Sequence, residues 1–255
     1  MLKPFLADLH VHTVLSGCAE IEMIPPLILR QAERLGLGLI AITDHNACHN
    51  VEAVMEAAVG TGIHVLPGME LQSKEDVHLL CLFDTAPQCH EWQEEVFQKL
   101  PLLVNREDLF GGQYVVDATG EWLATEERLL AASVDMALEE VVSKVRGLGG
   151  MVIPAHVDRP SFSLLTSLGF IPDRLEVDGL EVTPWFYPDK GFKQWPQLKT
   201  WNLVVNGDAH RLNEMQHRTS FKLSAPLVRE ISMALLGQEG RKASVEWPKQ
   251  ATGEP

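Results

Sequence analysis

Short apolar runs alternate along this chain with stretches whose apolar positions recur every three or four residues. The runs predict buried strands and the periodic stretches predict amphipathic helices. Phe5–His10 and Leu39–Thr43 read as strands. Between them Pro25 and Pro26 open a helix, Leu27, Ile28, Ala32 and Leu35 keep helical spacing, and Gly36 stops it. Val51–Val59 predicts a second helix ended by Gly60, and His64–Pro67 a third strand closed by Pro67 and Gly68. The segment M-E-L-Q-S-K-E-D-V-H-L-L-C-L-F then predicts a hairpin turning near Ser73–Glu75. A three-residue turn there sets Glu70 opposite His78 with both side chains on one face.

The pattern changes over 84–132. A helix is expected over His90–Leu100, followed by turn-rich sequence, so this stretch predicts an inserted subdomain or lid. Residues 1–83 and 133–240 then form one discontinuous domain. Ser133 is expected to cap a helix reaching Leu148; Met151–Ala155, Leu180–Val182 and Leu203–Asp208 are expected as strands, and Pro226–Leu236 as a helix. Residues 241–255 predict a mobile C-terminal tail. Repeating β-α units imply an α/β fold with a mostly parallel sheet, open or closed into a barrel.

Residues that bind metals gather where those strands end. They are His10 and His12 in D-L-H-V-H-T, His45 in I-T-D-H-N, Glu70 in P-G-M-E, His78 in D-V-H-L-L, His156 in I-P-A-H, and Asp208 and His210 in N-G-D-A-H. Both α/β sheets and barrels put function at the carboxyl ends of their strands. One site drawing ligands from the whole length favours a barrel. Residues i and i+2 of an extended chain share a face, so H-x-H and D-x-H can each serve one ion. Nitrogen and carboxylate donors together suit Mn, Zn or Fe, and a multinuclear centre of this kind points to metal-assisted hydrolysis. Asp8 is placed to fix the tautomer of a ligand histidine, and Asp44 precedes His45 in a similar supporting or catalytic position. Arg159, in H-V-D-R-P, is a candidate clamp for a phosphate oxygen, with a salt bridge to Asp158 as the alternative. Arg218, beside His217, is a weaker candidate for substrate contact. Trp185, Phe186 and Tyr187 either stack on a ring or pack, and His49, His64 and His90 read as surface or core residues.

As a set, D-L-H-V-H-T, I-T-D-H-N, P-G-M-E, A-H and G-D-A-H resemble the PHP (polymerase and histidinol phosphatase) superfamily over Leu6–Glu70, Val77–Phe83 and Gly149–Phe221. The resemblance implies a distorted (β/α)7 barrel, here with a mid-chain insertion, that holds two or three divalent metals. It also implies that His10, His12, Glu70 and Asp208 hold a first metal. Glu70 bridges to a second completed by His78 and His156, and His45 and His210 belong to a third. Many members carry a carboxylate or histidine soon after H-x-H-T. This chain has Ser16-Gly17-Cys18, which leaves Cys18 as a soft ligand, Glu20 reaching in, or an empty third site. The implied reaction is hydrolysis of a small phosphorylated metabolite or nucleotide by a metal-bridged hydroxide. Coordination brings the pKa of water from ~16 towards ~7. An exonuclease or oligonucleotide phosphodiesterase, a non-catalytic metal-binding regulator and an amidohydrolase are the competing readings.

The chain has 255 residues, 45% of them hydrophobic, enough for a large core. Its net charge of −14 predicts a small phosphorylated partner and no long duplex nucleic acid, because an acidic surface repels a phosphate backbone. Four cysteines without a C-x-x-C pair fit a reducing, cytoplasmic setting. No basic, apolar leader opens the chain and no apolar run approaches ~18 residues, so neither a signal peptide nor a membrane partner is expected.

Overall fold

The computed structural model describes residues 1–248. In chain order the first half contains β1 (Lys3–Val11), α1 (Pro25–Leu35), β2 (Leu39–Ile42), α2 (Val51–Ala57), β3 (His64–Gln72), β4 (His78–Leu82), α3 (Ala86–Lys99), α4 (Glu107–Phe110), β5 (Tyr114–Val116) and β6 (Trp122–Thr125). The second half contains α5 (Leu138–Gly147), β7 (Met151–Pro154), α6 (Leu164–Leu168), β8 (Leu180–Val182), α7 (Pro188–Gln194), β9 (Leu203–Val205), β10 (Thr219–Leu223), α8 (Val228–Leu235) and β11 (Lys242–Val245). The punctuation of α1 follows its sequence. Proline opens the first turn, and Gly36 ends the helix at φ 70, a left-handed conformation that glycine adopts without a Cβ penalty.

Seven strands form one curled sheet in the order β11-β10-β1-β2-β3-β4-β7. β1, β2 and β3 are parallel, and β4 runs antiparallel between β3 and β7. The separate parallel pair β8–β9 fills the gap between β7 and β1. Val157 N–H donates to Glu181 O on one side of it, and His12 N–H donates to Ala209 O on the other. The result is a distorted (β/α)7-like barrel. Because β4 runs backwards, its first residue lies at the same barrel end as the last residues of its parallel neighbours. That is why His78 opens a strand where the other metal-binding side chains close one.

Two apolar layers hold this frame. Ala7, Leu9, Leu39, Ala41, Leu66 and Leu80 pack together on one face of the sheet, and Ile40, Ile42 and Val65 join Ile28 and Ala32 of α1 on the other. The β1–β2 register shifts between Asp8 and Val11. Leu9 faces the layer that contains Leu80, and His10 reaches Glu70, the cross-strand partner of Leu80. Consecutive residues on one face are the signature of a bulge, which here re-aims His10 into the barrel.

The structure corrects several expectations. The hairpin pairs Gln72 with His78 and Glu70 with Leu80, so Glu70 and His78 are diagonal neighbours. A two-residue slip preserves the face, because the side-chain period is two. Helix α5 starts at Leu138; Ser133 caps no helix and donates to Asp76. The sheet contains antiparallel β4, β10 and β11, so it is less parallel than expected. Lys242–Val245, inside the expected tail, form edge strand β11 against β10, and Arg241 anchors them through Glu230 at 2.7 Å. Residues 249–255 of that tail lie outside the described residues. Helix α3, within 84–132, sends Cys89, Trp92 and Val96 into the main core.

Candidate metal centre

Glu70 stands fully buried at the meeting point of the strand ends. Its Oε1 lies 3.2 Å from His10 Nε2, 2.8 Å from His78 Nδ1 and 3.1 Å from His156 Nε2. Its Oε2 lies 3.0 Å from His45 Nδ1 and 3.4 Å from His12 Nε2. Asp208 Oδ1 completes the group at 3.3 Å from His10 Nε2 and 3.5 Å from His12 Nε2. All eight residues expected at the centre therefore converge. Three sets have donor atoms within 4.8 Å of one another: His10, His12, Glu70 and Asp208; His45, Glu70 and His78; and His12, His45 and His210. The backbone bends sharply to deliver two of them. His156 at φ 31 and Asp208 at φ 47 occupy the left-handed region that non-glycine residues rarely adopt.

The hydrogen bonds on the far side of the rings fix which nitrogen faces inward. His10 Nδ1 sits 3.1 Å from both oxygens of Glu181, and His210 Nδ1 sits 2.9 Å from the Asp208 carbonyl. Carboxylate and carbonyl oxygens only accept, so both Nδ1 atoms carry protons. Ser16 donates its hydroxyl to Asp44 at 2.7 Å and so accepts from His12 Nδ1 at 2.9 Å. His10 and His12 consequently turn their Nε2 atoms toward each other at 3.1 Å. Two ring nitrogens that close beside two buried carboxylates call for positive charge, which protons supply in the metal-free protein and divalent cations would supply in the loaded one. Glu70 Oε2, Asp208 Oδ1 and His156 Nδ1 are buried without a hydrogen-bond partner, and the first two belong to the inward-facing set. The donor set fits two or three divalent cations.

The electrostatics reflect the same crowding. Burial opposes protonation of His10, yet the carboxylates of Glu181, Glu70 and Asp208 raise it well above the ordinary imidazole range. Burial works against the Glu70 carboxylate, and the rings of His78, His10 and His45 overcome it and hold the acid well below its usual range. His78 is brought down to about 4, mainly by burial.

Other candidates are placed differently from expectation. Asp8 touches no ring. It accepts backbone N–H groups of Gly207 at 2.9 Å and Gln216 at 2.7 Å, and so ties β1 to the turn that carries Asp208. Asp44 binds the Thr13 amide and hydroxyl, each at 2.7 Å, and acts on His12 only through Ser16. Arg159 pairs at 2.8 Å with Asp208; Asp158 instead accepts from Thr183. Cys18 falls outside the three donor sets. Burial pushes its thiol up, and hydrogen bonds with His210 and His45 outweigh that and bring it to about 5. Glu20 is held by Arg211 at 2.6 Å. Phe186 is buried in the core, whereas Trp185 and Tyr187 line the cleft in front of the centre with Phe162, Arg159, Arg211 and Arg218. This cleft encloses about 830 Å³. His49 pairs with Glu126, His90 lies half-exposed near Glu52, and exposed His217 does not line the cleft.

Two residues escaped the sequence analysis: Glu181 and, as a functional hydroxyl, Ser16. Glu181 had a signal, since an acid in the middle of the buried strand L-E-V needs a partner. Ser16 had none, because its role depends on Asp44 being brought beside it.

Comparison with known proteins bears on this geometry. The PHP domain family model matches residues 8–148, which include His10, His12, His45, Glu70 and His78. The uncharacterized protein YqxK of Bacillus subtilis is 24% identical over 94% of this chain and 64% of its own length. The lesion-specific endonuclease PfuEndoQ of Pyrococcus furiosus superposes with a TM-score of 0.71 at 22% identity, covering 94% of this chain and 58% of that one. Endonuclease Q in complex with a 27-mer duplex, with an abasic lesion at its active site, superposes with a TM-score of 0.65 at 20% identity over 95% of this chain and 58% of that one. This chain thus spans about three fifths of the proteins it matches in these three comparisons. The complex overturns the expectation that long duplex nucleic acid is excluded, since the same fold holds one there. Net charge averages the whole surface, whereas a ligand meets the local field of the cleft, where arginines stand and cations would reverse the sign. Among the described residues no helix is long and apolar enough to cross a membrane.

Proposed function

The chain belongs to the PHP domain family, and on that premise we propose that it is a metal-dependent phosphoric ester hydrolase. His10, His12, Glu70 and Asp208 hold one divalent cation. Glu70, His78 and His156 hold a second, and His45 and His210 contribute to a third. The observation that carries this reading is the 3.1 Å approach of the His10 and His12 Nε2 atoms beside Glu70 and Asp208, with both outer ring nitrogens locked as donors. Divalent ions held there supply Lewis-acid activation of a phosphoryl group and acidify water.

The chain's own residues set the rest. Arg159 spends one Nη on Asp208, which leaves further guanidinium donors for a non-bridging phosphate oxygen beside the centre. Trp185, 71% exposed, and Tyr187, more than a third exposed, offer stacking faces along the cleft, and Phe162, stacked on His78 at 5.0 Å, offers its outer face. Arginines beside exposed aromatic rings suit a nucleotide chain, because every base has a face to stack and every linkage a charge to meet. We therefore place a nucleic-acid phosphodiester ahead of a small phosphomonoester as the substrate, and the two endonuclease structures support that order.

The deciding experiment uses the purified protein with Mn²⁺, Zn²⁺ or chelator. End-labelled duplexes with and without an abasic site are run beside aryl phosphate monoester and diester, with Asp208→Ala as control. Metal-dependent cleavage of nucleic acid or diester, lost in Asp208→Ala, is expected. Turnover of the monoester alone would return the small-metabolite reading, and no turnover despite bound metal would remove the hydrolase reading.

A further inference from the structure

Glu181 has no lysine or arginine partner among the described residues, although it is buried to 1% exposure in the middle of β8. Its ion-pair partner is His10. A buried carboxylate is costly, so its surroundings must call for an acceptor. They do: every group that reaches Glu181 by a hydrogen bond donates to it. His10 Nδ1–H lies between its two oxygens, the His156 backbone N–H donates to Oε1 at 3.1 Å, and the Asn206 side-chain amide donates to Oε2 at 2.9 Å. Asn206 in turn accepts from Leu9 N–H at 2.9 Å. One carboxylate therefore joins β1, the turn after β7 and the turn after β9, the three segments that deliver His10, His156 and Asp208. A glutamine of the same shape would turn its NH2 toward the His10 ring N–H and either the His156 or the Asn206 N–H, and keep only one accepting oxygen.

We infer that Glu181 is a positioning residue of the metal centre. It holds His10 in the Nδ1–H tautomer, keeps Nε2 turned to Glu70 and Asp208, and strengthens the ring as a donor. Through the His156 amide it also ties the subsite at His10 to the turn that carries the subsite at His156. The inference rests on the reading of His10 and His156 as ligands given above.

The test measures zinc stoichiometry and affinity on the full chain, by competition with a chromophoric chelator, for wild type, Glu181→Gln and Glu181→Asp. Histidine ¹⁵N–¹H spectra of the zinc-loaded wild type report the tautomer. Glu181→Gln is expected to bind its tightest zinc about 10–100-fold more weakly, with partial recovery in Glu181→Asp, which restores the charge. His10 is expected to carry its proton on Nδ1. A purely structural role would lower the melting temperature of the metal-free protein and leave zinc affinity unchanged, which overturns the inference. Should Glu181→Gln fail to fold, the wild-type spectra decide, and a proton on His10 Nε2 overturns it. A wild type that binds no zinc would sink the metal-centre reading itself. Equal affinity in wild type and Glu181→Gln would sink this inference alone.

Discussion

Arg159 reaches from the turn after β7 to Asp208 in the turn after β9, with Nη1 2.8 Å from Oδ2. The contact places a guanidinium beside a carboxylate whose other oxygen faces the His10 and His12 rings. Arg159→Ala is expected to lower turnover of a phosphodiester by about 100-fold, the scale seen when one donor to a developing charge is removed. Bound metal should remain at the wild-type stoichiometry. Arg159→Lys should recover only part of the rate, because an ammonium cannot grip Asp208 and a phosphate in one plane. Steady-state kinetics with metal analysis checks both.

Metal removal should be visible without any substrate. The centre packs two buried carboxylates among six imidazole rings, and divalent cations would bind only that folded arrangement. Saturation at about 100 times the dissociation constant stabilises a fold by about 2.7 kcal/mol. For a chain of this size that corresponds to a rise of about 5–11 °C in melting temperature over the chelated protein. Glu70→Gln, which weakens every donor set containing that oxygen pair, should remove most of the rise. Differential scanning calorimetry with and without chelator measures it.

Trp92 separates a core helix from a movable lid. It is fully buried with Cys89 and Val96 in the main cluster. Trp92→Ala is expected to cost about 3–5 kcal/mol, as truncation of a buried aromatic does. The melting temperature should fall by about 6–20 °C. A mutant that melts like wild type would mean that α3 lifts away from the barrel.

The edge strand β11 should respond to acid. Arg241 grips both oxygens of Glu230, at 2.7 and 2.8 Å, and this holds the carboxyl at about 2 against an ordinary 4.5. The folded pKa is depressed, so the stabilisation is complete above pH 4.5 and is lost as pH falls from 4.5 towards 2. Glu230→Gln should lower stability near neutral pH and narrow its difference from wild type across that window. Urea denaturation at stepped pH reads the difference directly.

The sequence by itself supplied the candidate metal-binding residues and their order along the chain. His10, His12, His45, Glu70, His78, His156, Asp208 and His210 could be read because metal-binding residue types at strand ends are a local pattern, and periodicity marks strand ends locally. Element types were legible for the same reason, down to the proline opening and glycine stop of α1. Tertiary structure decided what depended on partners distant in the chain. Strand β10 was missed because T-S-F-K-L is short and gains its meaning only from pairing with β1. The hairpin register slipped by two because the loop, not the apolar pattern, sets it, while the face survived because period two tolerates that slip. The role expected of Asp8 falls to Glu181, a residue to which no role had been assigned. A carboxylate two residues from His10 is near it in sequence, yet Glu181, 171 residues away, lies against its ring. The exclusion of duplex nucleic acid failed because net charge is a sum over the surface and carries no position. Where the arginines and aromatic rings of the cleft stand relative to the metal-binding strand ends is a property of the folded barrel alone.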